Sequence, residues 1–167
     1  MAGWTAGPTG VDLIVARLTT GGDLDPSFAG TGTVVVNLGG NEWGNAVAIA
    51  PDGKIVVAGT LRLGAEQDFL LVRLNPDGSF DGSFGNGGRS VLNPVGRVDD
   101  GRSVVVQPDG KIAFVGTVFL SATAGFAEVE RVTAAGAWDP TFHEDGHTRL
   151  QLRRQRRGPR AGDRSAT

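Results

Sequence analysis

The sequence predicts an all-β fold made of short antiparallel sheets, and three observations support that prediction. A unit of 56 to 58 residues recurs along the chain, each unit contains short apolar segments rich in β-branched residues, and Pro-Asp-Gly turns separate these segments. Four strands in a repeated unit of this size are typical of a β-propeller blade. The ten candidate strands in the sequence therefore predict a partial β-propeller of about two and a half four-stranded antiparallel blades.

The repeat is defined by a pentapeptide that occurs three times, as LDPSF (24–28), FDGSF (80–84) and WDPTF (138–142). A longer pair, PDGKIVVAGT (51–60) and PDGKIAFVGT (108–117), recurs with a separation of 57 residues. This register predicts a poorly ordered leader, a repeat array of three units, and a basic disordered tail. The three parts are residues 1–10, 11–150 (units of about 11–44, 45–100 and 101–150) and 151–167.

The strand segments, such as KIVVAGT and DFLLVRL, are apolar along nearly their whole length. Segments of this kind are typical of sheets that are covered on both faces. The turns between them combine a proline of fixed φ with a glycine that tolerates positive φ, so they join strands into hairpins. A turn role for their aspartates is favoured over metal binding. The turn residues are Pro51, Asp52, Gly53, Pro76, Asp77, Gly78, Pro108, Asp109 and Gly110.

One distance within the repeat is constant although the period varies. An arginine precedes an aspartate by eight residues in every unit, and the pairs are Arg17–Asp25, Arg73–Asp81 and Arg131–Asp139. A strand, a tight turn and a return bring such side chains together, so we predict a bidentate ion pair at one corner of each blade. The alternative is a repeated ligand site, but structural pairs are the usual cause of charges that recur in every blade.

The aromatic residues are mostly predicted to be core. Each pentapeptide ends in a phenylalanine that removes apolar surface worth ~1.5–3 kcal/mol from water. These predicted core anchors are Phe28, Phe84 and Phe142. Trp138 begins a pentapeptide in register with apolar residues and is also predicted to be core. Trp4 and Trp43 either are partly buried or line a surface for sugar or peptide.

Charge is distributed unevenly along a chain whose formal net charge is -2. Seven arginines and one aspartate lie between Arg149 and Thr167, so the preceding part is acidic and nucleic acid is an unfavourable partner for it. The chain has no cysteine, which excludes disulfides and thiol chemistry. The first ten residues lack the features of a signal peptide, and no apolar run has the length of a membrane helix.

Two stretches of the repeat, DFLLVRLNPDGSFDGSFGNGG (68–88) and VVVQPDGKIAFVGT (104–117), resemble the delta-60 repeat family of bacterial proteins. The resemblance extends from residue 11 to about residue 148. It implies a propeller-like array within a long protein that is often secreted or attached to the cell surface. The family has no agreed catalytic residues, so the resemblance supplies no catalytic, metal-binding or cofactor-binding residue, and we expect no cofactor.

The segment HEDGH (143–147) matches H-E-x-x-H, in which two histidines on one helix bind zinc. In register, however, it replaces GNGGR (85–89) and AGTGT (29–33), which are glycine-rich loops between strands. A loop does not place His143 and His147 on one helical face. The sequence therefore predicts a solvated turn at this position.

A calcium-binding alternative is also unfavourable. Asp77, Ser79, Asp81 and Gly82 imitate the start of an EF-hand loop, but its twelfth position is Gly88 where a bidentate glutamate is needed. The other units do not keep the pattern. We predict a structural turn here.

The repeat pattern predicts a non-catalytic module that serves as a scaffold or as a surface for a ligand or protein. Two alternatives remain open: part of a propeller-type enzyme, such as a hydrolase or quinoprotein, and binding of nucleic acid or an acidic surface through the arginine-rich tail. The tail begins inside a repeat, which favours a fragment of a longer protein. The open blade faces predict contact with further repeats or self-association.

Overall fold

The computed structural model describes residues 1–8, 10–93, 98–121, 124–143 and 145–150. Within these ranges the chain forms eleven β-strands and no helix. The predicted all-β fold is confirmed, with one strand more than the ten that the sequence suggested. No helix in the described ranges has the length and apolar character needed to cross a membrane.

The strands form three consecutive antiparallel units, which we call blades 1, 2 and 3. Blade 1 contains β1 (Ala2–Ala6), β2 (Val11–Ala16) and β3 (Thr33–Val36). Blade 2 contains β4 (Asn41–Ile49), β5 (Ile55–Leu63), β6 (Glu66–Leu74) and β7 (Arg89–Leu92). Blade 3 contains β8 (Val98–Val106), β9 (Ile112–Ser121), β10 (Ala124–Val132) and β11 (His147–Leu150). One parallel pair, Gln67 with Val98, joins blades 2 and 3.

The structure differs from the prediction at the amino terminus. The predicted leader contributes β1, which pairs with β2 from Ala2 opposite Val15 to Ala6 opposite Val11. In blade 2, Ala58 of β5 lies opposite Leu71 of β6. Because Val15 and Leu71 occupy equivalent positions of the repeat, β1, β2 and β3 correspond to β5, β6 and β7. Blade 1 is therefore a three-stranded sheet. No turn motif marks β1 in the sequence, which is why its pairing with β2 was not anticipated.

The predicted unit boundaries also shift. The divisions at 44/45 and 100/101 fall inside β4 and β8, because the turn motifs fix the period of the repeat but not where a blade begins. The predicted tail, 151–167, lies outside the described residues. The Pro-Asp-Gly turns are present where the sequence places them. In the first, the N–H of Gly53 donates to the carbonyl of Ala50 over 2.9 Å, and Gly53 has a φ of 82°.

Blade 2 is buried on both faces, as its apolar strands predicted. One face packs against blade 1 in a cluster that includes Val15 and Val72, and the other packs against blade 3 in a cluster that includes Leu71 and Phe114. Successive side chains of a strand point to opposite faces, so an uninterrupted apolar run supplies both clusters. The core thus lies between the blades rather than inside any one of them.

Candidate functional site

The repeated arginine and aspartate meet in every blade. The Nε atoms of Arg17, Arg73 and Arg131 lie 2.8, 2.8 and 2.7 Å from the Oδ2 atoms of Asp25, Asp81 and Asp139, respectively. The bidentate geometry that the sequence suggested is wrong, because each guanidinium uses Nε for the carboxylate and Nη2 for a nearby hydroxyl. Those hydroxyls belong to Ser27, Ser83 and Thr141.

The other carboxylate oxygen completes a small turn. Oδ1 of Asp81 accepts hydrogen bonds from the Ser83 hydroxyl and the Ser83 N–H over 2.6 and 3.0 Å. Asp25 and Asp139 bind Ser27 and Thr141 in the same manner. Each Oδ1 thus accepts two hydrogen bonds within the blade, while Oδ2 pairs with the arginine.

A phenylalanine ring lies beneath each guanidinium. The central carbons of Arg17, Arg73 and Arg131 lie 4.8, 4.5 and 4.8 Å from the ring centroids of the three predicted anchors, Phe28, Phe84 and Phe142. A cation held over an aromatic face at this distance is attracted by the ring quadrupole. The repeated residues therefore form one packed unit that includes the arginine, the aspartate and the phenylalanine.

The same unit binds the next blade. Nη1 of Arg17 donates to the carbonyl of Pro76 in blade 2, and Nη1 of Arg73 donates to the carbonyl of Ala134 in blade 3. The N–H groups that follow the phenylalanines do likewise. Ala29 donates to Asp77 over 2.7 Å, and Gly85 donates to Ala135 over 2.8 Å. Blades 1 and 2 thus each offer two donors to the carbonyls of one turn in the next blade.

The neighbour's turn also needs a glycine. A Cβ atom on Gly136 would lie 2.8 Å from the ring of Phe84, and one on Gly78 would lie 3.0 Å from that of Phe28. Both glycines have a φ near +90°, at 86° and 91°. We call the donors, the ring and the facing turn an inter-blade bracket.

Lysines from the hairpins before β5 and β9 reach the same carboxylates. Nζ of Lys54 lies 3.2 Å from Oδ2 of Asp81, and Nζ of Lys111 lies 3.1 Å from Oδ2 of Asp139. The Ser83 hydroxyl has the largest effect on Asp81 and, together with its N–H, Lys54 and Arg73, holds the pKa of that carboxyl well below its usual range despite burial. The Thr141 hydroxyl contributes most at Asp139, where the pKa is lowered in the same way.

The two metal-site candidates have structural partners. His143 lies in a turn with a φ of 46°, and His147 begins β11, so the segment is not a helix where the structure describes it. Nε2 of His147 lies 3.2 Å from Oδ2 of Asp145. At the calcium candidate, Oδ1 of Asp77 accepts from the Ser79 hydroxyl over 2.7 Å. In the described ranges no three His, Asp or Glu side chains converge as a metal site requires.

Two clefts lie between blades 2 and 3. One, of about 540 Å³, borders the bracket and the Pro-Asp-Gly turns. The other, of about 370 Å³, is lined by polar side chains and one tryptophan. Its lining includes Trp43, Asn45, Thr60, Arg62, Asp100 and Arg102.

The second cleft is a pre-formed polar site. Nδ2 of Asn45 donates to the carbonyl of Gly101 over 2.8 Å and to Oδ1 of Asp100 over 3.2 Å. The hydroxyl of Thr60 donates to the same Oδ1 over 3.1 Å, and Arg102 pairs with Oδ2. These contacts fix the Asp100 carboxylate in a cleft that Arg62 and Trp43 also line.

The cleft is made mostly of residues that do not repeat. In register, Trp43 corresponds to Asp100 and Asn45 corresponds to Arg102, as their pairing with β5 and β9 shows. Trp43 was one of the two tryptophans suggested as a binding surface. Trp4 lies in β1 of blade 1 and is 61% exposed.

Three buried glutamates, Glu42, Glu128 and Glu130, were missed by sequence reasoning. Glu128 and Glu130 are 0% exposed in β10, where the register places Leu70 and Val72 in blade 2. Burial raises the pKa of Glu128, whose Oε1 lies 3.7 Å from Nε2 of His147. For Glu128 and Glu130, the signal in the sequence was a charged residue at an apolar register position.

A family model described as a β-propeller domain of unknown function (DUF5122) matches residues 2–28 and 50–84. The matched segments contain β1, β2, β5 and β6, together with the turns and pentapeptides of blades 1 and 2. No curated protein matches the chain. The family match and the strand topology agree on a partial β-propeller.

Proposed function

We propose that this chain is a non-catalytic β-propeller module that serves as a scaffold and binds a polar ligand in the Trp43 cleft. One observation supports the proposal most directly: the charged residues that recur in every blade are used to hold the blades together. The non-repeating residues beside them line an open cleft. The residues that recur in every blade thus form the scaffold, and the residues that do not recur form the surface that selects a ligand.

The cleft suits a ligand that carries hydroxyl and carboxylate groups, such as an acidic oligosaccharide. Arg62 and Arg102 bring two positive charges to the cleft, whereas Asp100, which pairs with Arg102, brings one negative charge. Guanidiniums bind carboxylates well. The indole of Trp43 offers an apolar face with a polar edge, which suits the mixed surface of a sugar. Few but well-placed polar groups around a concave surface are typical of ligand sites.

The test is calorimetric titration of the chain with acidic oligosaccharides, neutral oligosaccharides and acidic peptides. Binding of acidic oligosaccharides, reduced at least about tenfold by Trp43→Ala and by Arg102→Ala, is the expected result. Trp4→Ala is the matched control, since it removes an exposed indole outside the cleft and should leave binding unchanged. Equal loss in both tryptophan variants, or no binding of any probe, would contradict the proposed site.

The proposal that the module is not an enzyme is tested separately. Ligand recovered after long incubation should be chemically unchanged, and its conversion at a rate that depends on the cleft residues would show an enzyme instead.

The resemblance to delta-60 repeats further supports placing the module in a secreted or surface-attached bacterial protein. Detection of the native protein only in the cytoplasmic fraction would contradict that placement.

A further inference from the structure

The outward faces of blades 1 and 3 carry the two unmatched halves of an inter-blade bracket. In register, His143 corresponds to Ala29 and Gly85, and all three have similar positive φ values of 46°, 53° and 53°. Arg131 corresponds to Arg17 and Arg73, whose Nη1 atoms bind the next blade. Among the described residues neither Nη1 of Arg131 nor the N–H of His143 meets such an acceptor. We call this side of blade 3 the donor face.

The complementary half lies on blade 1. Its turn at Thr19–Asp23 closes with a hydrogen bond from the N–H of Thr19 to the carbonyl of Asp23, as the turns of blades 2 and 3 do. Gly22 has a φ of 92° and stands in register with Gly78 and Gly136. A Cβ on Gly22 would meet no atom within 4 Å, because no blade covers this turn. We call this side of blade 1 the acceptor face.

Apolar exposure identifies the same two faces. On the donor face Leu150 is 49% exposed, whereas its register equivalent in blade 2, Leu92, is 5% exposed. On the acceptor face Leu18 is 45% exposed, whereas its equivalent Leu74 is 0% exposed. The difference arises because Leu92 and Leu74 are covered by adjacent blades. Both open faces therefore expose side chains that the fold buries wherever a neighbour is present.

We propose that a second copy of this chain docks head to tail, with its acceptor face on the donor face of the first copy. Arg131 and the N–H of His143 then donate to the carbonyls of Thr20 and Gly21 in the second copy, as the equivalent donors do between blades 1 and 2. Gly22 lies over the ring of Phe142, which is half-buried in one chain while Phe28 and Phe84 are fully buried.

Two copies joined in this way form a closed ring. A head-to-tail contact either closes by rotation or continues as a filament. Each chain has three blades, so two chains contribute six, within the range of about 4 to 8 blades at which propellers close.

Sedimentation equilibrium of the full chain tests the stoichiometry. The expected species has twice the chain mass of 17.3 kDa. A monomer throughout the micromolar range would overturn the docking, and continuous growth with concentration would overturn ring closure.

Leu150→Asp places a charge on the donor face and should raise the dimer dissociation constant by about 30-fold or more. Leu63→Asp is the matched control, because Leu63 is also 49% exposed but lies at the end of the β5–β6 hairpin. Equal dissociation in both variants would show that the donor face is not the contact. The assay is independent of the Trp43 cleft, so its outcome is separate from that of ligand binding.

The orientation is tested by cross-linking, for which the absence of native cysteine is convenient. Gly21→Cys and His143→Cys change positions that hold Asp77 and Ala29 in other blades, so side chains are tolerated there. An equimolar mixture of the two single variants should form a disulfide-linked pair containing one copy of each. Cross-links within either variant alone, and none in the mixture, would show a symmetric face-to-face dimer and overturn the proposal.

Discussion

At each blade corner one arginine serves several partners at once. Nε of Arg73 binds Asp81, Nη2 binds Ser83, and Nη1 crosses to the carbonyl of Ala134. The pair is well buried, with 10% and 8% of the two side chains exposed. Removing one member therefore leaves a charge without its compensating partner in a region of poor solvation.

A double-mutant cycle with Arg73→Leu and Asp81→Asn should reveal a coupling of about 2 kcal/mol in the free energy of unfolding. Chemical denaturation of the four proteins provides the measurement. The same cycle on Arg17 and Asp25, whose side chains are 32% and 24% exposed, should give a smaller coupling because water screens the pair. Additive effects at Arg73 and Asp81 would contradict the buried pair.

Low pH should reduce the stabilisation that Asp81 and its partners contribute. Because the pKa of Asp81 is lowered in the folded state, the unfolded chain takes up the proton first as the pH falls. The stabilisation is complete above the ordinary aspartate pKa of about 4 and is lost as the pH falls toward the folded value. Denaturation curves from pH 7 to pH 2 should show a shallower pH dependence for Asp81→Asn than for the natural chain, with Ser83→Ala intermediate. Parallel curves would contradict the assignment.

Glu128 should behave in the opposite direction. Burial raises its pKa, so the folded state is penalised as the pH rises and the carboxyl ionises. Glu128→Leu, which restores the apolar residue of the equivalent position in blade 2, should increase the free energy of unfolding at pH 7 by about 1–2 kcal/mol. The gain should shrink toward pH 4, and Glu128→Gln serves as the isosteric control. A loss of stability at pH 7 would show that the contacts of Oε1 with His147 and Arg149, at 3.7 and 3.8 Å, outweigh the cost of burial.

The sequence predicted which residues meet at the corner but not how they meet. An invariant spacing of eight residues indicated the arginine–aspartate contact, because a strand and its return are local geometry. The contact of Nη1 with the next blade depends on a turn some 60 residues later in the chain, as from Arg17 to Pro76. No short sequence pattern indicates a contact between residues so far apart in the chain.

Glycine determines how closely the strands of adjacent blades approach. A Cβ on Gly101 in β8 would lie 2.7 Å from the carbonyl oxygen of Gly59 in β5 of the neighbouring blade. Backbone oxygen cannot move aside as a flexible side chain does. The strand-interior glycine is therefore a packing residue, although in sequence it resembles a simple weak point of the strand.

Gly101→Ala should lower the free energy of unfolding by about 1–3 kcal/mol, because the methyl group forces blades 2 and 3 apart. Gly82→Ala is the control, since Gly82 has no atom within 4 Å of the added carbon and should change stability little. Thermal denaturation followed by circular dichroism compares the two. Equal effects would show that the cost comes from backbone conformation and not from the close approach.

Cooperativity of the whole molecule depends on blade 2. Its β5 and β6 strands supply residues to both apolar clusters, whereas blades 1 and 3 each contribute to one. Opening blade 2 therefore exposes both clusters, while fraying of a terminal blade exposes one. Regions that bury more apolar surface exchange their amide hydrogens at a higher free-energy cost.

Hydrogen exchange should consequently be slowest in β5 and β6 and faster in β1 and β11. The measurement is best made on the Leu150→Asp variant, in which docking does not cover the terminal blades. Mass spectrometry of peptides that span each strand gives the protection of each blade. Uniform protection across all three blades would show that the stack opens only as one unit.

The sequence by itself determined the repeat, the turns, the all-β class and the pairing of arginine with aspartate, because these depend on local geometry and short spacing. Only the tertiary structure showed that β1 belongs to the first blade, that the bracket spans two blades, and that Glu128 is buried. The physical reason is that the core of this protein lies between sheets. Which residues face it is decided by neighbours that are distant in the chain, and no short sequence pattern indicates those neighbours.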